Sequence, residues 1–203
     1  MSSAVELSTE QLVALLRDCD ALLEGHFRLT SGLHSPVYLQ CARLLMDPAR
    51  AARVCAALEP KLARALPGVA IDKTVAPAMG GVVFGYELAR QLGVESLFVE
   101  RVDGQFALRR GFAIEPGTRV LIAEDVVTTG LSVREAIASV RAHGADVVGA
   151  ACLIDRSGGR AQLDVPLIAL AQLELPTYAA DEIPPDLAKK PVVKPGSRPI
   201  ISA

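Results

Sequence analysis

Two adjacent acids, Glu124 and Asp125, stand shortly before Thr128, Thr129 and Gly130, with Ser132 just beyond. A glycine there lets the backbone turn tightly and approach a ligand. Free backbone N–H groups at a helix start, together with the helix dipole, suit a phosphate. The hydroxyls of Thr128, Thr129 and Ser132 can add donors. The two carboxylates cannot face that phosphate closely without repulsion. They are better placed to accept hydrogen bonds from sugar hydroxyls, or to hold Mg²⁺ through water. A phosphate at one end and a diol at the other describe a ribose 5-phosphate. A lone acid near a helix N-terminus would read as an ordinary strand-to-helix turn. The ordered run of apolar strand, acid pair, Thr-Thr-Gly and helix is more specific. The rival nucleotide patterns, G-x-x-x-x-G-K-[ST] and G-x-G-x-x-G, are absent from the chain.

The elements around this run must place it at a sheet edge. Val120 to Ala123 is a short apolar stretch, as expected of a buried strand whose pairing extends through Arg119 to Glu124. Ligands of open α/β sheets bind beyond the carboxyl ends of such strands. A helix is expected over Leu131 to His143, closed by Gly144. Further strands are expected at Ile71–Ala76, Ser96–Glu100, Asp146–Ile154 and Pro166–Leu170, with a helix from Gly80-Gly81 to about Leu92. Strands alternating with helices argue for an open, mostly parallel α/β sheet with helices on both faces. Upstream, Ser8 and Gln11 form a capping pattern for a helix carrying Leu12, Leu15, Leu16 and Cys19, a segment ended by Gly25. Phe27 to Leu45 reads as extended strands around a turn. Asp47-Pro48 opens a helix to about Ala65, which Pro67-Gly68 stops. Arg101 to Pro116 breaks the rhythm as a hairpin or a mobile loop, and the tail after Leu175 reads as extended surface chain.

Composition bounds the rest. The 203 residues suit one domain of ordinary size, with a core at about 48–170 and a small hood from about 1–47 and 171–203. Hydrophobic residues make up 51% of the chain and Trp is absent, so Ala, Val, Leu and Ile must fill the core. A net charge of −2 gives no electrostatic case for nucleic acid or an acidic membrane. No apolar run reaches the length of a membrane span, and MSSAVELSTEQ lacks a signal-peptide layout, so a cytoplasmic location is expected. Cys19, Cys41, Cys55 and Cys152 show no paired metal-ligand spacing and read as reduced core thiols.

The central run resembles the phosphoribosyl-diphosphate signature of the type I phosphoribosyltransferases. Three other segments narrow the likeness to orotate phosphoribosyltransferase: FRLTSGLHSPVYLQ at Phe27 to Gln40, RVDGQFALRRGF at Arg101 to Phe112, and DRSGG at Asp155 to Gly159. KPGSR near the C-terminus is similar to a bacterial branch of that family. The resemblance implies transfer of ribose 5-phosphate from phosphoribosyl diphosphate to orotate, giving orotidine 5′-monophosphate in pyrimidine (UMP) biosynthesis. It also implies Mg²⁺ and a homodimer. Carried over by position, Glu124, Asp125, Val126, Val127, Thr128, Thr129, Gly130, Leu131 and Ser132 would bind phosphoribosyl diphosphate, with Arg101 reaching the diphosphate. Ala78 to Gly81 would form a second diphosphate loop. Thr128 and Arg156 would contact orotate, with Tyr38-Leu39 near the base. The catalytic roles would fall to Asp125, Glu124 and Arg101. Positive charge developing on the ribose ring would be stabilised by the carboxylates beneath it. The alternatives are a phosphoribosyltransferase for another base, and a non-catalytic module that binds phosphoribosyl diphosphate.

Some positions depart from the family pattern. Gly80, Val102, Gln105 and Thr30 stand where lysines are common, and Ala107 where a histidine is common. Arg109 or Arg110 would have to supply the missing charge, if that pair is not simply a solvated turn. His34 could face the site, while His26 and His143 read as structural.

Overall fold

The computed structural model describes residues 6–29 and 31–194, so Thr30 and most of KPGSR lie outside it. Ser8 caps helix α1 (Thr9–Asp18), accepting from Gln11 N while the Gln11 side chain accepts from Ser8 N. The helix ends at Asp18, earlier than expected. Strand β1 (Leu22–Arg28) follows and continues past Gly25, with an irregularity in its pairing between Glu24 and Phe27. β1 pairs antiparallel with β2 (His34–Leu39). Cys41–Leu45, expected to be extended, is instead the short helix α2; its buried Cys41, Leu44 and Leu45 meet the core at helical spacing. Asp47 accepts from Arg50 N and Pro48 opens helix α3 (Pro48–Ala65), as the sequence suggested.

The alternating pattern then unfolds: β3 (Lys73–Pro77), α4 (Gly80–Leu92), β4 (Glu95–Val102), β5 (Gln105–Leu108), β6 (Arg119–Val127), α5 (Leu131–Arg141), β7 (Asp146–Asp155) and β8 (Leu167–Gln172). These strands form one six-stranded sheet in the order β5-β4-β3-β6-β7-β8. Every pairing is parallel except that of β4 with β5, so Arg101–Pro116 begins as a hairpin. Its turn residues, Asp103 and Gly104, both take positive φ, as a tight hairpin turn requires. β6 continues three residues past Glu124, so the acid pair lies within the strand rather than after it.

Side chains alternate across β6 and split the core in two. Leu121 and Ala123 join a cluster with Leu12, Leu44, Leu58 and Phe84, under α1 to α4. Val120 and Ile122 join a second cluster with Val133, Ile137 and Val140 of α5. The sheet is thus covered by helices on both faces. The tail is less featureless than expected: it holds a helical turn, α6 (Pro185–Ala188), and β9 (Val192–Val193). β9 pairs parallel with β1, completing a three-stranded sheet in the order β2-β1-β9. All four cysteines are free; Cys41, Cys55 and Cys152 are buried and Cys19 is half-buried. Among the described residues no helix is long and apolar enough to cross a membrane.

Candidate active site

Parallel pairing of β6 with β7 sets Val127 beside Asp155. The next residue of each strand, Thr128 and Arg156, therefore leaves the sheet edge side by side, and Arg156 N donates to Val127 O at 2.7 Å. Buried Asp155 accepts from Ser157 N at 2.7 Å, and Ser157 Oγ accepts from Ala161 N at 3.0 Å. These bonds hold the DRSGG loop in place. Gly130 adopts φ +74°, the left-handed region, at the N-terminus of α5. A Cβ there would lie 3.2 Å from Arg134 Nη1 and 3.3 Å from Ala161 Cβ. Arg134 in turn donates to Thr129 O at 2.9 Å and Gln162 O at 3.2 Å, bracing the loop against its neighbour.

A cavity of about 640 Å³ opens over this edge. Tyr38, Thr128, Thr129 and Arg156 line it, as expected. The Arg156 Nε is buried and has no hydrogen-bond partner among the described residues. Burial also draws the guanidinium below its ordinary pKa. A buried, unpaired N–H on a charged fork calls for an acceptor, and a carboxylate is the acceptor that matches its geometry.

Glu124 and Asp125 do not line the cavity; they lie on β6 just before Thr128, under strong mutual influence. Glu124 is 8% exposed. Burial, then the neighbouring Asp125 charge, pushes its pKa from the ordinary 4.5 up to about 8. Burial also raises Asp125. The charge of Asp125 reaches Tyr38, whose phenol is raised chiefly by burial. The start of α4 closes on the same acids: a Cβ at Gly80 would come within 3.1 Å of Asp125 Oδ1, and one at Gly81 within 2.7 Å of Ala123 O. Ala78–Gly81 and the acid pair are thus brought together. The missing Cβ of Gly81, which would meet backbone, is what allows the approach.

Other expected residues are placed elsewhere. Arg101 does not line the cavity; it donates to Gly104 O at 2.6 Å and Glu135 Oε2 at 2.5 Å, and covers the Phe106 ring at 4.2 Å. Arg110 holds Glu100 through two bonds of 2.8 Å, while Arg109 is exposed. His34 does not line the cavity either; its ring meets His26. Sequence reasoning passed over Arg28, Ser31, Leu33, Arg160, Leu175 and Thr177, all of which line the cavity. Arg28 and Arg160 sat within or beside segments already singled out. Leu175 and Thr177 carried no local signal, because the tail reaches the site only through the fold.

The chain matches the phosphoribosyl transferase domain family over residues 48–174. It is 54% identical over 197 residues to the orotate phosphoribosyltransferase of Rhizorhabdus wittichii, covering 97% of this chain and 100% of that one. It is 56% identical over 195 residues to that of Sphingopyxis alaskensis, covering 96% and 99%. Among solved structures, orotate phosphoribosyltransferase from Aeropyrum pernix superposes with a TM-score of 0.66 at 29% identity, over 80% of this chain and 94% of that one. Adenine phosphoribosyltransferase from Saccharomyces cerevisiae shares the fold, with a TM-score of 0.63 at 22% identity over 78% and 99%.

Proposed function

Since the chain belongs to the phosphoribosyl transferase family, as an orotate phosphoribosyltransferase, we propose how its residues divide that reaction. Orotate enters the cavity with its carboxylate on Arg156 and its ring between Thr128 and Tyr38. The observation that carries this reading is the buried Arg156 Nε, without a hydrogen-bond partner among the described residues, in the lining of a cavity that Thr128 and Thr129 also line. The 5-phosphate of phosphoribosyl diphosphate sits on Thr128 to Ser132 at the start of α5. The ribose hydroxyls face Glu124 and Asp125. As the bond to diphosphate lengthens, positive charge builds on the ribose ring, and the negative charge that the pair carries while Glu124 keeps its proton stabilises it. Ala78–Gly81, lying against those acids, takes the diphosphate.

Among the described residues no three side chains of metal-ligating type converge. Two carboxylates facing a diphosphate site fit Mg²⁺ held through water and phosphate oxygens, the usual manner of that ion. When bound there, Mg²⁺ neutralises charge on the departing diphosphate. The β4–β5 hairpin would swing over the site and exclude water, with Arg101 released from Glu135 to meet the diphosphate. We read the chain as one domain, hooded by the β2-β1-β9 sheet, acting as a homodimer in the cytoplasm.

The test is incubation with orotate, phosphoribosyl diphosphate and Mg²⁺. Orotate's ultraviolet absorbance should fall. Turnover with another base but not with orotate would sink the substrate assignment. A second reading, a binding module without turnover, is favoured by the hairpin tip, where Val102 and Gln105 bring no charge. Calorimetric binding with no product would support it.

A further inference from the structure

Behind the cavity wall that carries Leu29, Leu33 and Tyr38, two imidazoles touch. His26 Nε2 lies 2.7 Å from His34 Nδ1, and both rings are buried, at 3% and 9% exposure. His26 Nδ1 lies 3.2 Å from the carbonyl oxygen of Lys190. A carbonyl oxygen only accepts, so His26 Nδ1 must carry a proton. In the neutral ring Nε2 is then an acceptor, and His34 Nδ1 must donate to it. One backbone carbonyl thereby sets the tautomer of both rings.

The pair joins three segments that are distant in sequence. His26 belongs to β1 and His34 opens β2. The His34 backbone exchanges two bonds of 2.8 Å with Tyr178, and the His26 ring reaches the tail at Lys190, next to β9. Just before the first clip, Leu175 and Thr177 line the cavity together with Leu33 and Tyr38. Ser35 Oγ adds a bond to Pro176 O at 2.9 Å. The histidine chain thus ties together β1, β2 and the tail, three segments that supply lining residues of the cavity.

We propose that His26 and His34 are positioning residues: a hydrogen-bond chain of fixed direction, His34 to His26 to the Lys190 carbonyl, that holds the hood wall against the base end of the cavity. Neither ring touches substrate. This rests on the reading of the cavity as the orotate site. Breaking the chain should loosen the orotate wall and leave the phosphate loop, on a different element, unchanged.

Two measurements test it. The first is the two-bond ¹H–¹⁵N histidine spectrum of the full chain at about pH 8, above the ordinary imidazole range. Both buried rings should be Nδ1–H tautomers, and an Nε2–H form in either would overturn the proposal. The second is kinetic. His34→Ala leaves His26 Nε2 without its donor, and the orotate KM should rise about tenfold while kcat and the phosphoribosyl diphosphate KM stay within about twofold. His34→Asn, whose amide can donate from nearly the Nδ1 position, should recover most of the loss. Equal losses in kcat and KM, or no recovery by His34→Asn, would overturn the positioning role. If the unmodified chain did not consume orotate, the substrate reading would fall and the tautomer spectrum alone would decide the histidine chain. Should His34→Ala fail to fold, His34→Asn and the spectrum still decide it.

Discussion

Glu124 and Asp125 are adjacent buried acids, and burial raises the pKa of both. Glu124 is raised by burial first and by Asp125 second. The folded chain thus keeps a proton that the unfolded chain releases near the ordinary value of 4.5. Stability from this group is fully present below that pH and is lost as pH climbs toward about 8. Glu124→Gln removes the group, so its denaturant midpoint should fall less than that of the parent between about pH 5 and about pH 9. An unchanged slope would contradict the burial argument. Asp125→Asn should impair turnover without unfolding the chain, and an unchanged rate would contradict its ribose role. Arg156→Ala should raise the orotate KM between about tenfold and a hundredfold, given what a charged hydrogen bond contributes. Arg156→Lys should recover only part, because a lysine cannot form the bidentate fork. A selective loss of phosphoribosyl diphosphate binding would refute the assignment.

At the scale of elements, the close approach of α4 to β6 is what brings Ala78–Gly81, the proposed diphosphate loop, onto the acids. Gly81→Ala puts a Cβ 2.7 Å from a backbone oxygen, and the helix must shift to admit it. Denaturant unfolding should show a loss of about 1–3 kcal/mol, typical of overpacking, together with a raised phosphoribosyl diphosphate KM. The hairpin makes a second prediction: Gln105→Lys, by adding a cation at its tip, should raise kcat. An unchanged kcat would mean that the tip does not reach the diphosphate. The strands and helices of the main sheet were legible because each carries its own period, cap or glycine stop. The exception is β5, which lies in Arg101–Pro116, a segment the sequence left open as a hairpin or a mobile loop. What was not legible depends on distant partners. β1 runs through Gly25 because β2 and β9 pair with it on either side. Cys41–Leu45 is helical because its apolar side chains meet a core built from later segments. Arg101 was expected at the diphosphate and is held by Glu135, thirty-four residues away.

For the whole molecule, the site joins two sheets. The ends of β6 and β7 in the six-stranded sheet lead into Thr128, Thr129 and Arg156, while the hood and the tail supply Arg28, Leu33, Tyr38 and Thr177. The proposed ribose-phosphate half lies on one contiguous run. The base half was read only in part, because its walls come from opposite ends of the chain. A homodimer is expected, and light scattering should return twice the 21.4 kDa chain mass. A single-chain mass under assay conditions would contradict that expectation. Transfer of ribose phosphate to the base held by Arg156 is tested by following orotate's ultraviolet absorbance in the presence of phosphoribosyl diphosphate and Mg²⁺. Absorbance should fall only when both are present, matched by release of diphosphate. No fall with orotate, alongside turnover of adenine or uracil under the same conditions, would contradict it.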